Sequence, residues 1–272
     1  MWYVLIFCTI VLMIYSNRAR GSRRQPKGVA KTLGTPTVTI VAACAVMLIV
    51  CGMIHLSTES TSKIANNRQT VELAFAKSAG FVTATETIRK TEEPGGILVI
   101  APAFEDSSIQ AHQNAIIDGI KEAAGDLSVE TQFAELVIGE DDNAAHLHSA
   151  HRRLGISDLE SATRAFPKHN VIICISNLPS DYSSSAFAAR ISKSDVSIGL
   201  VLDDVFSLGD EIFSGQVTVC AIPKRALSYN YLEPVPEDLL EAFSKRYHLL
   251  TSGNVQRFAL DNRRMMQIQR TQ

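Results

Sequence analysis

The sequence predicts a doubly wound α/β domain with a mostly parallel, five-stranded sheet over residues 95–224, preceded by a transmembrane helical hairpin. Three observations carry this expectation. Short, continuously apolar runs alternate with amphipathic stretches from Ile97 to Ile222, as in parallel strands buried on both faces and joined by crossover helices. Two long apolar segments, 1–15 and 37–56, come first. Between them lies SNRARGSRRQPKGVAK (Ser16 to Lys31), with six cations and no acid.

The 272 residues are 46% apolar and 20% charged. That composition supports a packed core and excludes wholesale disorder. The formal net charge is −2, with acids gathered later at Glu140-Asp141-Asp142 and Asp203-Asp204. Global charge gives no case for nucleic acid, and the apolar flanks of the basic run favour a lipid bilayer as its neighbour. None of the five cysteines sits in a Cys-x-x-Cys pair. Cys8, Cys44, Cys51, Cys174 and Cys220 all fall in apolar runs and read as buried thiols, not as a disulfide framework.

The segment 37–56 is 20 residues long without Asp, Glu, Lys or Arg, a comfortable span. Pro36 suits the start of its helix. Residues 1–15 form a helix about 22 Å long against a bilayer core of about 30 Å. Arg18 and Arg20 can snorkel, and Trp2, Tyr3 and Tyr15 suit the interface. A signal peptide is disfavoured, because no cationic n-region precedes this segment and no small-residue cleavage site follows it. Val41-Ala42-Ala43-Cys44 resembles a lipoprotein box, but apolar residues continue past Cys44. Short cationic loops stay cytoplasmic. The expected arrangement is a cytoplasmic loop at 16–35 in a bacterial inner membrane, with the chain after Leu56 extracytoplasmic. In a second version only 37–56 spans and 1–15 lies in the interface.

Residues 57–94 are polar, with a weak stripe at Val71, Phe75 and Ala79, and read as a stalk or packing helix. Pro94-Gly95-Gly96 marks the domain start. The elements expected next are a strand at 97–104, a helix at 109–124 with Gly125 as its C-cap, and a strand at 129–137. Ser157 to Glu160 offers a capping box for a helix to Phe166. Then come a strand at 171–176, a helix at 184–194, a strand at 197–202, a short helix at 207–213 and a strand at 216–222. This layer count is flavodoxin-like or Rossmann-like. A helix from Pro236 to Tyr247 and a basic tail complete residues 225–272.

Ligands of open parallel sheets bind beyond the carboxyl ends of the strands. The candidates there are Phe104 and Asp106 after strand one, Asn177, Asp181 and Tyr182 after strand three, and Asp203, Asp204 and Phe206 after strand four. Acids and amides pair with hydroxyls while rings cover apolar ligand faces, a mixture that suits a sugar. His146, His148 and His151 form His-x-His-x-x-His, a weak metal candidate that competes with a solvated loop. No Gly-x-Ser-x-Gly, His-Glu-x-x-His, Gly-x-x-x-x-Gly-Lys or Gly-x-Gly-x-x-Gly occurs.

GILVIAPAFEDSSIQAHQNAIIDGIKEAAGDLSVE, then NVIICISNLPS, then DVSIGLVLDD, resembles the first lobe of type I periplasmic binding proteins. The resemblance covers residues 95–224 and implies a solute-binding lobe. That family closes two lobes on its ligand, and only 48 residues follow Lys224 here. Closure would take a partner or a second copy. The expected role is a membrane-anchored binding or interaction module without a cofactor, not a catalyst. The alternatives are a scaffold subunit of a cell-envelope complex and a metal-dependent enzyme using the histidines. A receiver-type phosphoacceptor site fits poorly, because Lys224 follows Pro223 instead of preceding it.

Overall fold

The structure is a computed structural model that describes residues 67–135, 137–138, 152–179, 181–202, 209–224, 231 and 233–262. The chain divides into two compact units, Met1–Ala65 and Asn66–Gln272, and every described residue belongs to the second. Both apolar segments, 1–15 and 37–56, lie outside the described residues. Among the described residues no helix is long and apolar enough to cross a membrane.

The second unit opens with a helix, α1, over residues 67–90. Strand β1 (Ile97–Pro102) leads to α2 (Ser107–Ala124), β2 (Val129–Ala134) and a two-residue β3 (Val137–Ile138). Next come β4 (Arg152–Arg153), α3 (Ile156–Ala165), β5 (Val171–Cys174), a 3-10 turn at Tyr182–Ser184 and α4 (Ala186–Ile191). The rest is β6 (Ser197–Val201), α5 (Gly209–Phe213), β7 (Val219–Pro223), α6 (Leu239–Arg246), β8 (Tyr247–Leu250) and α7 (Val255–Asp261). The main sheet has six strands in the order β2-β1-β5-β6-β7-β8. Its first five are mutually parallel, while β8 pairs antiparallel with β7. A small antiparallel ladder joins β3 to β4.

Every residue of β1, β5 and β6 is buried. Successive side chains point to opposite faces, so each strand feeds two cores. Leu98, Ile100, Ile172, Cys174, Ile198 and Leu200 pack with α3, α4, α5 and α7. Ile97, Val99, Ala101, Val171 and Ile173 pack with α1, α2 and α6. Full burial of one such Ile or Val contributes about 1.5–3 kcal/mol. Cys174 and Cys220 are buried free thiols, as their apolar runs implied. Burial alone pushes the Cys174 thiol up to about 12, so it stays neutral.

Of the two readings of residues 57–94, stalk or packing helix, α1 takes the second from residue 67 onward and moves the domain start ahead of Pro94. From residue 67 onward the segment is part of the domain. Its inward face is built from small residues, with Ala76, Ala79 and Ala84 beside Val71, Phe75 and Val82. Ser78, Thr83 and Thr87 are buried on it too. Ser78 donates to the Phe75 carbonyl at 2.7 Å and Thr87 to the Thr83 carbonyl at 2.7 Å, so the Ser78 and Thr87 hydroxyls, unlike that of Thr83, enter the core already paired. Two glycines then let backbones touch. A Cβ at Gly80 would sit 2.0 Å from the Ile116 carbonyl oxygen, and one at Gly119 would sit 2.0 Å from that of Lys77. Lys77 and Glu122 close the crossing at 2.6 Å.

Other boundaries also shift. The sheet gains β8, because α6 stops when Tyr247 turns extended (φ −124°, ψ 158°) and Tyr247 and Leu250 become buried. The helix expected to reach Tyr247 therefore ends at Arg246. The Ser157 capping box is not used: α3 starts at Ile156 and is capped by Gly155 without a side-chain bond. The helix expected over 184–194 is a 3-10 turn followed by the six-residue α4, capped by Ser185. In the expected tail, α7 buries Val255 against the sheet.

The α1–α2 crossing gives a test with a reversed sign. Replacing glycine by alanine inside an exposed helix stabilises by about 1 kcal/mol. Here Gly119→Ala must instead push α1 away, and it should destabilise by about 1–3 kcal/mol. A urea midpoint that falls in the full chain supports the packing, and one that rises refutes it.

Candidate functional site at the strand carboxyl ends

Strand β1 pairs with β2 on one side and with β5 on the other. The winding direction reverses between β1 and β5, which makes their carboxyl ends the topological switch point of the sheet. Pro102 and Cys174 are the last residues of these neighbouring strands. Phe104 and Asp106 follow one of them, and Asn177 and Asp181 follow the other. The structure thus brings these four predicted residues to adjacent strand ends.

Each is held by local chemistry. Asp106 is the N-cap of α2, with extended backbone (φ −70°, ψ 120°). Its Oδ1 accepts from the Ser108 amide at 2.7 Å, the Ser108 hydroxyl at 2.6 Å and the Ile109 amide at 3.2 Å. The hydroxyl bond and then the two amides hold its carboxyl below the usual carboxylate range. All three bonds fall on Oδ1. Phe104 is half-buried, and its carbonyl accepts from the Gln110 side chain. Gln113, buried one turn further on, donates to the Pro102 carbonyl at 2.8 Å and fixes the strand end. The Asn177 carbonyl accepts from the Leu154 amide at 3.1 Å, tying the β5 end to the chain entering α3. Asp181 is exposed, and its carbonyl accepts from both Ser184 N–H and Ser184 Oγ.

Tyr182 departs from its expected role of ligand cover. It is fully buried, its ring packs edge-on to Phe187 at 6.2 Å, and it belongs to the core under α4. Burial, reinforced by Cys174 and Glu211, raises its phenol well above the ordinary value. The strand-end aromatic was spent on packing because the short turn before α4 points it inward. Asp203, Asp204 and Phe206 lie outside the described residues, as do His146, His148 and His151. Among the described residues, no three His, Cys, Asp or Glu side chains converge as a metal site.

Two apolar side chains at this end were not singled out from the sequence. Ile109 is 39% exposed and Phe133 is 53% exposed. The buried residues of α2 begin at Gln113, after its first turn. Phe133 pairs in register with Ala101 at the end of edge strand β2.

Helix α1 runs opposite to the strands. Thr87 lies against Gly199 within β6. At the other end of α1, Glu72 accepts from Tyr231 Oη at 2.8 Å and pairs with Arg246 at 3.3 Å. The Arg246 carbonyl in turn accepts from Lys224, the residue after β7. Residue 67, where the second unit is described from, therefore lies at the carboxyl-end side of the sheet. The Arg68 guanidinium sits 5.2 Å from the centre of the Tyr231 ring and strengthens this junction.

No family model and no curated protein matches the chain. Solved structures of periplasmic sugar-binding type are similar to it. A solute-binding protein of an ABC transporter from Burkholderia graminis, in complex with D-arabinose, has a TM-score of 0.42, 16% identity and coverage of 65% of this chain and 60% of that one. AraP, an arabinose-binding protein from Geobacillus stearothermophilus, has a TM-score of 0.41, 15% identity and coverage of 67% and 63%. A LacI-type transcriptional regulator described as putative, from Bacteroides fragilis, has a TM-score of 0.40, 13% identity and coverage of 66% and 61%. The chain thus spans about 60% of the length of these three structures.

The cap of α2 predicts a pH signature. The folded Asp106 carboxyl titrates below its unfolded value, so its contribution is complete above about pH 4 and is lost as pH falls through the lower, folded value. The stability gap between the wild type and Asp106→Ala, read from denaturant midpoints, should be widest at neutral pH and should close in acid. A gap that stays constant down to pH 2 would contradict the cap.

Proposed function

We propose that the protein is a membrane-anchored, extracytoplasmic solute-binding or interaction module that takes a sugar-like ligand at the β1/β5 switch point. One observation carries the reading. Two neighbouring strand ends at the reversal of winding lead into the segments that carry Phe104, Asp106, Asn177 and Asp181. Asp106 and Asp181 accept from ligand hydroxyls, Asn177 sits between them in the strand-end sequence, and Phe104 covers a C–H face of a pyranose or furanose ring. The role is binding, with no group assigned to bond-making. The anchor is the pair of apolar segments around the cationic loop.

A scaffold role within a cell-envelope complex is the second reading. It is favoured by Phe133 and Ile109, whose exposure at the site rim also suits a protein partner.

Calorimetric titration of the full chain in detergent with D-arabinose, D-xylose, D-glucose and D-galactose tests the first reading. At least one sugar should bind saturably. Phe104→Ala and Asp181→Ala should each weaken it about tenfold, or ~1.4 kcal/mol. No binding of any of the four favours the scaffold. Protease treatment of intact spheroplasts should degrade residues 67–262 while the loop at 16–35 stays protected. The reverse pattern overturns the proposed location.

A further inference from the structure

The opposite end of the sheet carries a groove of about 430 Å³ where β6 and β7 begin. Its polar walls are Lys90 at the end of α1, Ser192 and Ser194 after α4, Ser197, Gln216 and Thr218. Ile191 and Val196 supply the apolar part. No carboxylate is among the described lining residues. We propose that this groove is a second ligand site, distinct from the strand-end crevice, and that it takes a small uncharged polyhydroxy molecule.

The balance of donors and acceptors selects that class. Ser192 Oγ donates to the Ala189 carbonyl at 3.2 Å, and Ser194 Oγ donates to the Ile191 carbonyl at 2.8 Å. Their protons are committed, so these oxygens meet a ligand as acceptors. Thr218 Oγ1 accepts from the Ile198 amide at 3.3 Å and keeps its own proton to give. Lys90 only donates. A ligand must therefore donate at some points and accept at others, which hydroxyl groups do. An inorganic anion would meet the seryl oxygens as acceptor against acceptor. A metal cation would meet the Lys90 ammonium.

Gln216 supplies the adjustable contact. Its Oε1 is buried without a hydrogen-bond partner. Turning the carboxamide toward the groove breaks no bond at that oxygen, and a ligand hydroxyl supplies one. Gly215, at φ 79°, has nothing within 4 Å of where a Cβ would stand, so the rim beside Gln216 is open.

The test is calorimetric titration of the full chain in detergent with myo-inositol and D-sorbitol, with inorganic phosphate in parallel. At least one polyol should bind saturably, and Gln216→Leu should weaken it about tenfold. Lys90→Met, at an exposed position, gives a second reading if the first variant fails to fold. It should weaken the same polyol while any D-arabinose response of the strand ends is kept. The proposal is overturned if neither polyol binds, or if phosphate binds in their place. Binding that both variants leave unchanged overturns it too, as does polyol binding abolished by Asp181→Ala, which belongs to the strand ends.

Discussion

The central strands of this domain are dry on both faces, and the rest of the structure follows from that constraint. Every residue of β1, β5 and β6 is buried. Their backbone groups are satisfied within the sheet, but their side chains need helices above and below. Helices α3, α4, α5 and α7 cover one face. The other face has α2 and α6, and α1 fills the space between them over β1, β5 and β6. The domain therefore begins some thirty residues before the first strand. The approach of α1 is set by glycine at Gly80, Gly119 and Gly199, where a side chain would collide with the neighbouring element.

That same helix gives the sheet two unlike ends. Its first residues are held at the carboxyl-end side by Glu72, Tyr231 and Arg246. Its last residue, Lys90, borders the groove at the amino ends of β6 and β7. The carboxyl end combines acids with exposed apolar side chains. The amino end combines seryl hydroxyls with a lysine and an amide. The two ends thus differ in the polar groups they carry.

The strands were legible because Ile97 to Pro102 and Val171 to Cys174 are unbroken apolar runs of strand length. From them the α/β class, the parallel pairing and the location of the strand-end residues all followed. Helix α1 was less legible because its buried face uses Ala, Ser, Thr and Gly, whose hydropathy resembles that of an exposed segment. Strand β8 was hidden because it follows α6 with no intervening turn residue, and only Tyr247 and Leu250 of its four residues are buried. Phe104, Asp106, Asn177 and Asp181 follow the ends of the paired strands β1 and β5, a placement that the apolar runs made legible. The burial of Tyr182 was not legible, since sequence alone does not separate a ring that lines a crevice from one that closes a core. Gln216 and Lys90 were not legible as neighbours, because they are 126 positions apart and only the packed chain brings them to one groove.

The central claim is that the reversal of winding between β1 and β5 makes their carboxyl ends the principal ligand site. Amide hydrogen exchange of the full chain, with and without a saturating sugar identified by titration, tests it most directly. The account predicts added protection at residues 103–110 and 175–184, the segments that leave the two strand ends. Protection confined to 190–197 and 214–218, or spread evenly over the sheet, would contradict it.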